Sequence, residues 1–418
     1  MDSNLFNRLK ERGYVYQVTH EEQVKNALDG QKPITFYLGI DPTADSLHIG
    51  HFFALMMFRH LQEAGHRGIL IIGGATALIG DPSGKTDLRK MLTKEQVNQN
   101  LEEVRKLAER FIKVDGDNPA IILNNGDWIN PCSYVDFMRD IGIHFNVNTM
   151  LAADAYANRL AEGGLTFLEM GYMLMQAYDF AYLNEKYSCI LQIGGSDQWG
   201  NIVAGINLKR KLDYLENPNN EEKETIYGLT CPLLMTKDGK KMGKTEQGTL
   251  WVAREKTTPY DFYQYFYNVD DCDTEMLLRL FTRIETSRIE NLCKSDIVEA
   301  KRLMAYEITK LVHGEEEANK VLDAVNSLFS TGVNTDNIPS TKLNRTSAGS
   351  DINVVELLTI TDFMSSKSEA RRMIQQGAIT IDGNKVNDSE LIISLDVKDK
   401  DYLLLKKGKK TFLKVVLE

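Results

Sequence analysis

The sequence predicts an α/β protein in which a parallel sheet domain is followed by an α-helical domain and a small α+β domain. Short apolar runs alternate with helical patterns through the first two-thirds of the 418 residues, which is typical of βαβ units. Strand patterns then stop and amphipathic helical patterns take over. A stretch rich in Ser, Thr, Asn and Gly separates these from a compact tail. We therefore predict domains over 1–250, 251–330 and 352–418, with a linker over 331–351.

Each strand of the predicted sheet is a short apolar run between helix or loop patterns. Helices are predicted over 50–64 and from 198 to about 211, so that strands and helices alternate. Ligands of such sheets bind beyond the carboxyl ends of the strands, where the loops converge. The loops after these strands are therefore the places to search for a site. The runs are 34–40, 68–73, 120–123 and 188–193.

The last third of the chain predicts helices first and a mixed domain afterwards. Residues 299–312 form an amphipathic helical pattern that stops before Gly314. In the tail, a helix over 366–376 ends at Gly377, and roughly 65 residues are enough for a small independent fold. The strands predicted for the tail are 378–381, 402–406 and 412–417.

Composition excludes several classes of protein. The longest nearly apolar stretch, residues 68–80, is too short to span a membrane, and the first residues do not form a targeting signal, so we expect a cytoplasmic protein. Five scattered cysteines predict neither disulfides nor a thiolate metal site. The net charge of −10 argues against a nucleic-acid partner, but residues 351–418 are neutral, with 11 basic and 11 acidic side chains.

The first polar motif lies between a predicted strand and a predicted helix. Residues 37–51 read Tyr-Leu-Gly-Ile-Asp-Pro-Thr-Ala-Asp-Ser-Leu-His-Ile-Gly-His. A glycine after a strand allows close backbone approach, and a helix N-terminus favours an anion. His48 and His51 can then both donate hydrogen bonds to one phosphate. In an arbitrary loop such histidines more often cap a helix, so the phosphate interpretation depends on the whole motif.

The second motif is a lysine-rich turn. Residues 235–245 read Met-Thr-Lys-Asp-Gly-Lys-Lys-Met-Gly-Lys-Thr, and clustered lysines on a glycine-containing loop suit a mobile clamp on a polyphosphate. Residues 80–86 share part of the P-loop pattern, but Ile79 occupies the position of its first glycine. We therefore expect Lys85 and Arg89 on a loop that closes over a leaving pyrophosphate.

The third motif is a helix with polar residues on one face. Tyr172, Gln176 and Asp179 follow one another at i, i+4 and i+7 in an apolar stretch. Buried polar groups need partners, which other side chains could also supply. After the next strand, residues 192–200 read Gln-Ile-Gly-Gly-Ser-Asp-Gln-Trp-Gly, and a carboxylate after such a turn is well placed for a ribose diol.

These motifs resemble those of a known family. His48 to His51 resemble the ATP signature of class I aminoacyl-tRNA synthetases, and residues 241–245 resemble their Lys-Met-Ser-Lys-Ser signature, with Gly243 and Thr245 replacing the serines. In order and spacing, the motifs are similar to those of the bacterial type of tyrosyl-tRNA synthetase. Residues 366–386 resemble a small RNA-binding domain shared with a ribosomal small-subunit protein.

The resemblance implies that a cytoplasmic homodimer with a Rossmann-like catalytic domain activates L-tyrosine with ATP and Mg²⁺. It then transfers the tyrosyl group to tRNA(Tyr). The resemblance assigns Tyr37 and Asp179 to the substrate phenol, and Asp81, Tyr172 and Gln176 to the α-ammonium group. It implies no metal ligands on the protein.

The remaining roles are also implied by the resemblance alone. The residues around the tyrosyl and ribose parts of the intermediate are Gly39, Asp41, Gly195, Asp197 and Gln198. The groups facing the phosphates are Thr43, His48, His51, Lys85, Arg89, Lys241, Lys244 and Thr245. The RNA-binding residues of the tail are Lys367, Arg371 and Arg372.

Three alternatives remain open at this point. A tryptophanyl enzyme of the same class is the nearest, although Tyr37 and Asp179 suit a phenol better than an indole. A nucleotidyltransferase shares the histidine motif but has no use for a helical domain and an RNA-binding tail. A non-catalytic RNA-binding relative would have no need of His48, Lys244 and Asp179.

Overall fold

The computed structural model describes residues 4–83, 91–216, 218, 225–245, 248–329, 339–344, 351–395, 401–408 and 411–417. The chain divides into two compact units. The first comprises Met1–Thr257 and Asp270–Ala300, and the second comprises Thr258–Val269 and Lys301–Glu418. Among the described residues, no helix combines the length and apolar character that a membrane crossing requires.

The first unit is built on a six-stranded sheet in the order β1-β6-β5-β2-β3-β4. Only the β1–β6 pair is antiparallel, which confirms the predicted parallel sheet. The four predicted strands correspond to β2–β5 within one or two residues, whereas β1 and β6 were not predicted. The strands are β1 (Gln17–Val18), β2 (Thr35–Ile40), β3 (Arg67–Ile72), β4 (Ile121–Asn124), β5 (Cys189–Gly195) and β6 (Tyr227–Cys231).

Helices precede, connect and follow these strands. They are α1 (Leu5–Arg12), α2 (Glu21–Asp29), α3 (Ile49–Glu63), α4 (Thr76–Ile79), α5 (Lys94–Ala108), α6 (Gly126–Ile129), α7 (Tyr134–Asp140), α8 (Val147–Leu151), α9 (Asp154–Glu162), α10 (Phe167–Tyr187), α11 (Trp199–Glu216), α12 (Pro259–Tyr267), α13 (Asp271–Phe281), α14 (Thr286–Ser295), α15 (Ile297–His313) and α16 (Glu315–Phe329). Short 3₁₀ turns occupy Gly142–His144 and Ser196–Gln198.

Two helices fix the site relative to the sheet. α3 packs against β2, β3 and β5, and most of its residues are buried. α10 packs against β5 and begins with a capping box in which Thr166 and Glu169 satisfy each other's backbone N–H groups. The sheet changes its direction of growth between β2 and β5, and the crevice at such a switch point is the usual ligand site.

The second unit contains α12, most of α15, α16 and the tail. α12 packs against α16, and the ring of Phe262 contacts that of His313 edge to face. No strand occurs over Thr258–Phe329 in this described stretch, as predicted from the helical patterns. Farther along, the helices are α17 (Val354–Ile360) and α18 (Lys367–Gln375).

The tail forms a five-stranded sheet in the order β12-β11-β14-β15-β9, and β10 pairs separately with β13. Alternate strand residues pack with α17 and α18 into a core of its own, including Leu405, Val415 and Ile374. Within the predicted linker, β9 adds a parallel strand beside β15 and buries Leu343. The remaining strands are β7 (Lys244–Thr245), β8 (Gly248–Thr249), β9 (Ser340–Leu343), β10 (Asp351–Asn353), β11 (Ile379–Ile381), β12 (Asn384–Val386), β13 (Ile392–Ser394), β14 (Tyr402–Lys407) and β15 (Thr411–Leu417).

Candidate active site

A cavity of about 330 Å³ opens at the carboxyl ends of β2 and β5. Its volume is in the range of small-molecule sites, and its position is that expected for a parallel sheet. The predicted site residues that line this cavity are Tyr37, Gly39, Asp41, Thr43, His48, His51, Asp81, Tyr172, Gln176, Asp179, Gly195, Asp197, Gln198 and Lys241. One cavity therefore brings together residues from all three sequence motifs.

The remaining predicted residues either fall outside what the structure describes or belong to the tail. Lys85 and Arg89 are outside the described residues. The backbone of Lys244 and Thr245 forms β7, but their side chains are outside what the structure describes. The tail residues are on α18, where their side chains are exposed and Ala370 and Ile374 face the core; these residues are Lys367, Arg371 and Arg372.

A buried carboxylate and a buried phenol line one part of the cavity. Asp179 on α10 accepts hydrogen bonds from Asn125 Nδ2 at 3.0 Å and from Trp128 Nε1 at 2.8 Å. The hydroxyl of Tyr37 on β2 is buried and has no hydrogen-bond partner among the described residues. Since an unsatisfied buried hydroxyl costs about 1–3 kcal/mol, this atom marks where a polar ligand atom fits.

The protonation of these two groups is set by burial. Burial raises the pKa of the Asp179 carboxyl to about 7, although the N–H donors of Asn125 and Trp128 oppose the shift; the charge of Asp41 adds to it. Burial raises the pKa of Tyr37 well above its ordinary value, and the neighbouring Asp179 raises it further. The tyrosine is therefore a neutral hydroxyl beside a carboxyl group whose charged form a further hydrogen-bond donor would stabilise.

The raised pKa of Asp179 predicts a pH-dependent cost in stability. Between the ordinary pKa of 3.8 and about 7 the unfolded chain releases this proton before the folded chain does, so the free energy of unfolding falls as pH rises and stays lower above 7. We expect Asp179→Asn to gain stability relative to the parent by about 2 kcal/mol more at pH 8 than at pH 5. Denaturant unfolding at both pH values measures this, and an equal difference at both would contradict the shift.

A second part of the cavity is rich in hydrogen-bond acceptors. Asp41 accepts hydrogen bonds from Tyr172 at 2.9 Å and from Thr76 at 2.7 Å. Asp81 accepts from the Gln198 amide at 2.6 Å and from the backbone N–H and hydroxyl of Ser83.

The buried Oε1 atoms of Gln176 and Gln192 have no hydrogen-bond partner within the described part of the chain. Both residues line the same cavity as Asp41 and Asp81. Two carboxylates beside two unused amide oxygens suit a ligand with several N–H donors and a positive charge.

The two histidines lie at the N-terminus of α3. His48 Nδ1 accepts hydrogen bonds from the backbone N–H groups of Gly50 and His51, at 3.1 and 3.2 Å, so His48 caps the helix. Because Nδ1 is an acceptor, the ring proton of neutral His48 is on Nε2. The His48 and His51 rings stack 3.7 Å apart. Capping and anion binding are thus compatible, because the cap uses Nδ1 whereas the ring proton is on Nε2.

The lysine turn closes another side of the cavity. Lys241 Nζ lies 3.5 Å from an oxygen of Asp197. Burial raises the pKa of Asp197, and the charge of Lys241 counters the shift. The N–H of Met242 donates a hydrogen bond to the carbonyl of Leu234, three residues after β6. Farther along, the backbone of Trp251 forms an isolated antiparallel bridge with His48. The histidine motif and the lysine turn therefore belong to one structural assembly.

Backbone geometry explains why glycine replaces a serine in the lysine motif. Gly243 has φ +87°, a conformation that side chains with a Cβ rarely adopt. A Cβ at this position would lie 2.4 Å from the Cγ2 atom of Ile49, the first residue of α3. A serine would not fit here, because the turn at Gly243 packs closely against α3.

Sequence reasoning missed several residues that line the cavity or bind one of its lining residues. Asn125 and Trp128 follow β4 and bind Asp179; Thr76 binds Asp41; and Gln192 lies on β5. The position of Asn125 directly after a parallel strand was the available signal, because polar residues at strand ends face the ligand crevice. The described residues contain no group of three or more His, Cys, Asp and Glu side chains that could hold a metal ion.

The chain matches two known family models, one after the other along the sequence. Residues 29–330 match the family described as "tRNA synthetases class I (W and Y)". Residues 331–415 match a family described as the tyrosine–tRNA ligase SYY-like C-terminal domain. The tyrosine–tRNA ligase of Clostridium kluyveri is 48% identical over 419 residues, and that of Clostridium tetani is 46% identical over 421 residues; each alignment covers 100% of both chains.

Solved structures show the same relationship. A C-terminally truncated mitochondrial tyrosyl-tRNA synthetase of Aspergillus nidulans superposes with a TM-score of 0.68 at 28% identity, covering 78% of this chain and 94% of that one. The corresponding enzyme of Coccidioides posadasii gives a TM-score of 0.64 at 32% identity, covering 76% and 91%.

Proposed function

Since this chain belongs to the class I tRNA synthetases, in the group of the tyrosine–tRNA ligases, we propose that its cavity activates L-tyrosine with ATP. A tyrosine carboxylate oxygen attacks the α-phosphorus, the bond to the bridging oxygen breaks, and pyrophosphate leaves. The terminal ribose hydroxyl of tRNA(Tyr) then attacks the tyrosyl carbonyl and releases AMP. Neither step needs a nucleophile on the protein, so positioning and electrostatic stabilisation supply the rate.

The observation that carries this proposal is that Tyr37 and Asp179 line the same cavity. A buried hydroxyl without a partner among the described residues lies in the same cavity as a buried carboxylate held by two N–H donors. A substrate phenol can donate to Asp179 and accept from the Tyr37 hydroxyl, which satisfies both groups. An indole has one donor and no acceptor, so tryptophan suits this pair less well.

The acceptor-rich part of the cavity suits the α-ammonium group of tyrosine. Asp81, Gln176 and the Tyr172 oxygen each have lone pairs that an ammonium can use. Burial is the main cause that raises the pKa values of Asp179 and Asp197, and the charges of Asp41 and Asp81, respectively, add to it. A bound cation relieves this mutual repulsion, so the free cavity is complementary to a positively charged amino group.

The opposite part of the cavity suits the nucleotide. Gly39 has open space where a Cβ would be, so the adenylate can approach its backbone, and Asp197 faces the ribose. His48 Nε2–H, His51 and Lys241 provide donors or positive charge for the phosphates. Mg²⁺ enters bound to the ATP phosphates, as part of the substrate. The other nucleotide contacts that we propose are Asp41, Thr43, Lys85, Arg89, Gly195, Gln198, Lys244 and Thr245.

ATP–pyrophosphate exchange across the twenty amino acids tests the proposed function. We expect exchange with tyrosine alone at substrate concentrations that saturate the site. Exchange with tryptophan instead would reassign the cavity, and absence of exchange with every amino acid would support the non-catalytic alternative. Charging of tRNA(Tyr) by the same preparation tests the second step.

We propose a division of labour among the segments. Residues 1–250 form the catalytic domain, 251–330 the helical domain that contacts the anticodon arm, and 352–418 the small RNA-binding domain. The meeting of the two family matches between residues 330 and 331 supports a boundary there. The tail also has its own hydrophobic core, as an RNA-binding module would require. We propose that the three segments act together in charging tRNA in the cytoplasm.

A homodimer is the assembly that we propose. Seven large apolar side chains are exposed within residues 134–168, a concentration that is unusual for a surface that remains in water. This stretch forms α7–α9 and the start of α10. A second copy of the chain would therefore cover the helices that come directly before Tyr172, Gln176 and Asp179 in the sequence. The exposed residues are Tyr134, Val135, Ile143, Val147, Leu160, Phe167 and Leu168.

Phe167→Asp should dissociate this dimer. Phe167 is 70% exposed at the first position of α10, and burying an unpaired carboxylate in an interface costs several kcal/mol. Sedimentation velocity should show the dimer replaced by a monomer at micromolar concentration. Leu215→Asp, an equally exposed change on α11, should leave the dimer intact. A dimer that persists in Phe167→Asp would move the interface elsewhere.

A further inference from the structure

The C-terminal sheet has one face that packs against α17 and α18 and one face that does not contribute to that core. Strand alternation assigns ten residues to this second face, which we call the outer face. None of the ten is acidic and four are lysines, although residues 351–418 as a whole are neutral. The outer face is therefore positively charged, because no acidic side chain of the face balances its four lysines. Its residues are Ser340, Lys342, Thr380, Lys385, Tyr402, Leu404, Lys406, Phe412, Lys414 and Val416.

Two aromatic rings lie among these lysines. Lys406 is directly opposite Phe412 in the β14–β15 pair, and its Nζ lies 5.1 Å from the centre of the Phe412 ring. Lys414 Nζ lies 4.7 Å from the centre of the Tyr402 ring. In the strand register the two rings are four positions apart, about 13 Å along the strands. Two flat apolar platforms, each beside an ammonium group, therefore lie on one face of the sheet.

We propose that the outer face binds unpaired nucleotides of the tRNA, at a site separate from the α18 residues Lys367, Arg371 and Arg372. The identity of the RNA as tRNA rests on the proposed function, whereas the chemistry of the face does not. A base stacked on an aromatic ring is held more strongly than an exposed lysine that lies beside the same ring. A base can thus replace the ammonium on each ring, and the released lysine then pairs with a phosphate.

Paired RNA fits this surface less well than unpaired RNA. In a double helix the bases are stacked on one another and their faces are closed to Tyr402 and Phe412, so only the lysines could contribute. An acidic peptide would likewise use the lysines and leave the rings without a role. Unpaired RNA is therefore the partner whose affinity should depend on the two rings, whereas duplex RNA and acidic peptides should depend on the lysines alone.

Fluorescence anisotropy with the full-length chain tests the proposal. The probes are a labelled 12-nucleotide oligouridylate and a labelled 12-base-pair RNA duplex. Tyr402→Leu combined with Phe412→Leu keeps apolar volume but removes both platforms, and we expect it to weaken oligouridylate binding at least 10-fold with little effect on the duplex. Lys406→Gln and Lys414→Gln should each lower the slope of log affinity against log salt by about 0.7.

Controls distinguish the proposal from general effects. Lys106→Gln removes one exposed lysine on α5, ion-paired with Glu103, and should leave the salt slope unchanged. Tyrosine-dependent pyrophosphate exchange should be normal in every variant; its absence in the parent chain would refute the proposed function without touching the RNA result. Unchanged oligouridylate affinity in the leucine double variant would overturn the proposal. If that variant loses its far-UV circular dichroism, the two lysine slopes decide instead, and unchanged slopes overturn it.

Discussion

Asp179→Ala is expected to collapse the preference for tyrosine over phenylalanine. In the parent chain, phenylalanine leaves the Asp179 charge and the Tyr37 hydroxyl without a ligand partner in a buried cavity. Tyrosyl-tRNA synthetases are themselves the known case of such rejection. A hydrogen bond to a buried charge is worth about 1.5–3 kcal/mol, so its loss should reduce discrimination by at least about 10-fold and up to 100-fold or more.

Pyrophosphate exchange at varied tyrosine and phenylalanine concentrations measures this preference as a ratio of kcat/KM values. The loss should fall mainly on tyrosine, because phenylalanine makes no hydrogen bond there. Asp127→Ala is the matched control, since Asp127 is exposed on α6, one residue before Trp128. An unchanged ratio in Asp179→Ala would remove Asp179 from the phenol site.

Lys244→Ala should slow tyrosyl-adenylate formation by about 10²–10³-fold, the typical cost of removing one group that stabilises developing charge. Negative charge accumulates on the leaving pyrophosphate, and β7 places Lys244 three residues after Lys241, which lines the cavity. Tyrosine binding should be unchanged, because the acceptor-rich part of the cavity is built from other elements. The effect should therefore appear in the rate of the chemical step rather than in the affinity for tyrosine.

Single-turnover kinetics with saturating tyrosine and ATP gives the rate of this step. Lys240→Ala provides the control, because Lys240 belongs to the same turn but is exposed and does not line the cavity. It should stay within a few-fold of the parent. A near-normal rate in Lys244→Ala, or an equal loss in both variants, would show that the clamp is not formed by this lysine.

Contiguous patterns allowed most of the sheet and much of the site to be predicted. β2 to β5 are apolar runs, and Tyr37, His48 and Gln176 stand in short motifs whose spacing is independent of the fold. Asn125 was not predicted because its role depends on a contact with Asp179 of α10, which is 54 positions later in the sequence. The position of Asn125 after a parallel strand indicates the ligand crevice, but nothing local indicates that it binds a carboxylate of α10.

The strands that were missed show the same limit. β6 contains Gly228 and Thr230, so its apolar run is interrupted, and it is held by β5 on one side and β1 on the other. β9 reads Ser-Thr-Lys-Leu and has only one buried apolar residue. β9 is held in place by backbone pairing with β15 rather than by its own side chains. Such pairing leaves no periodic signal in the sequence.

The pairing of β9 with β15 determines where the tail can be excised. A fragment starting at residue 351 would lack β9, leave the backbone of β15 open along one edge, and expose the core around Leu343. An open edge of this kind invites pairing with other chains. Isotope labelling or crystallisation of the isolated tail should therefore start upstream of Pro339, so that the fragment retains its terminal parallel strand.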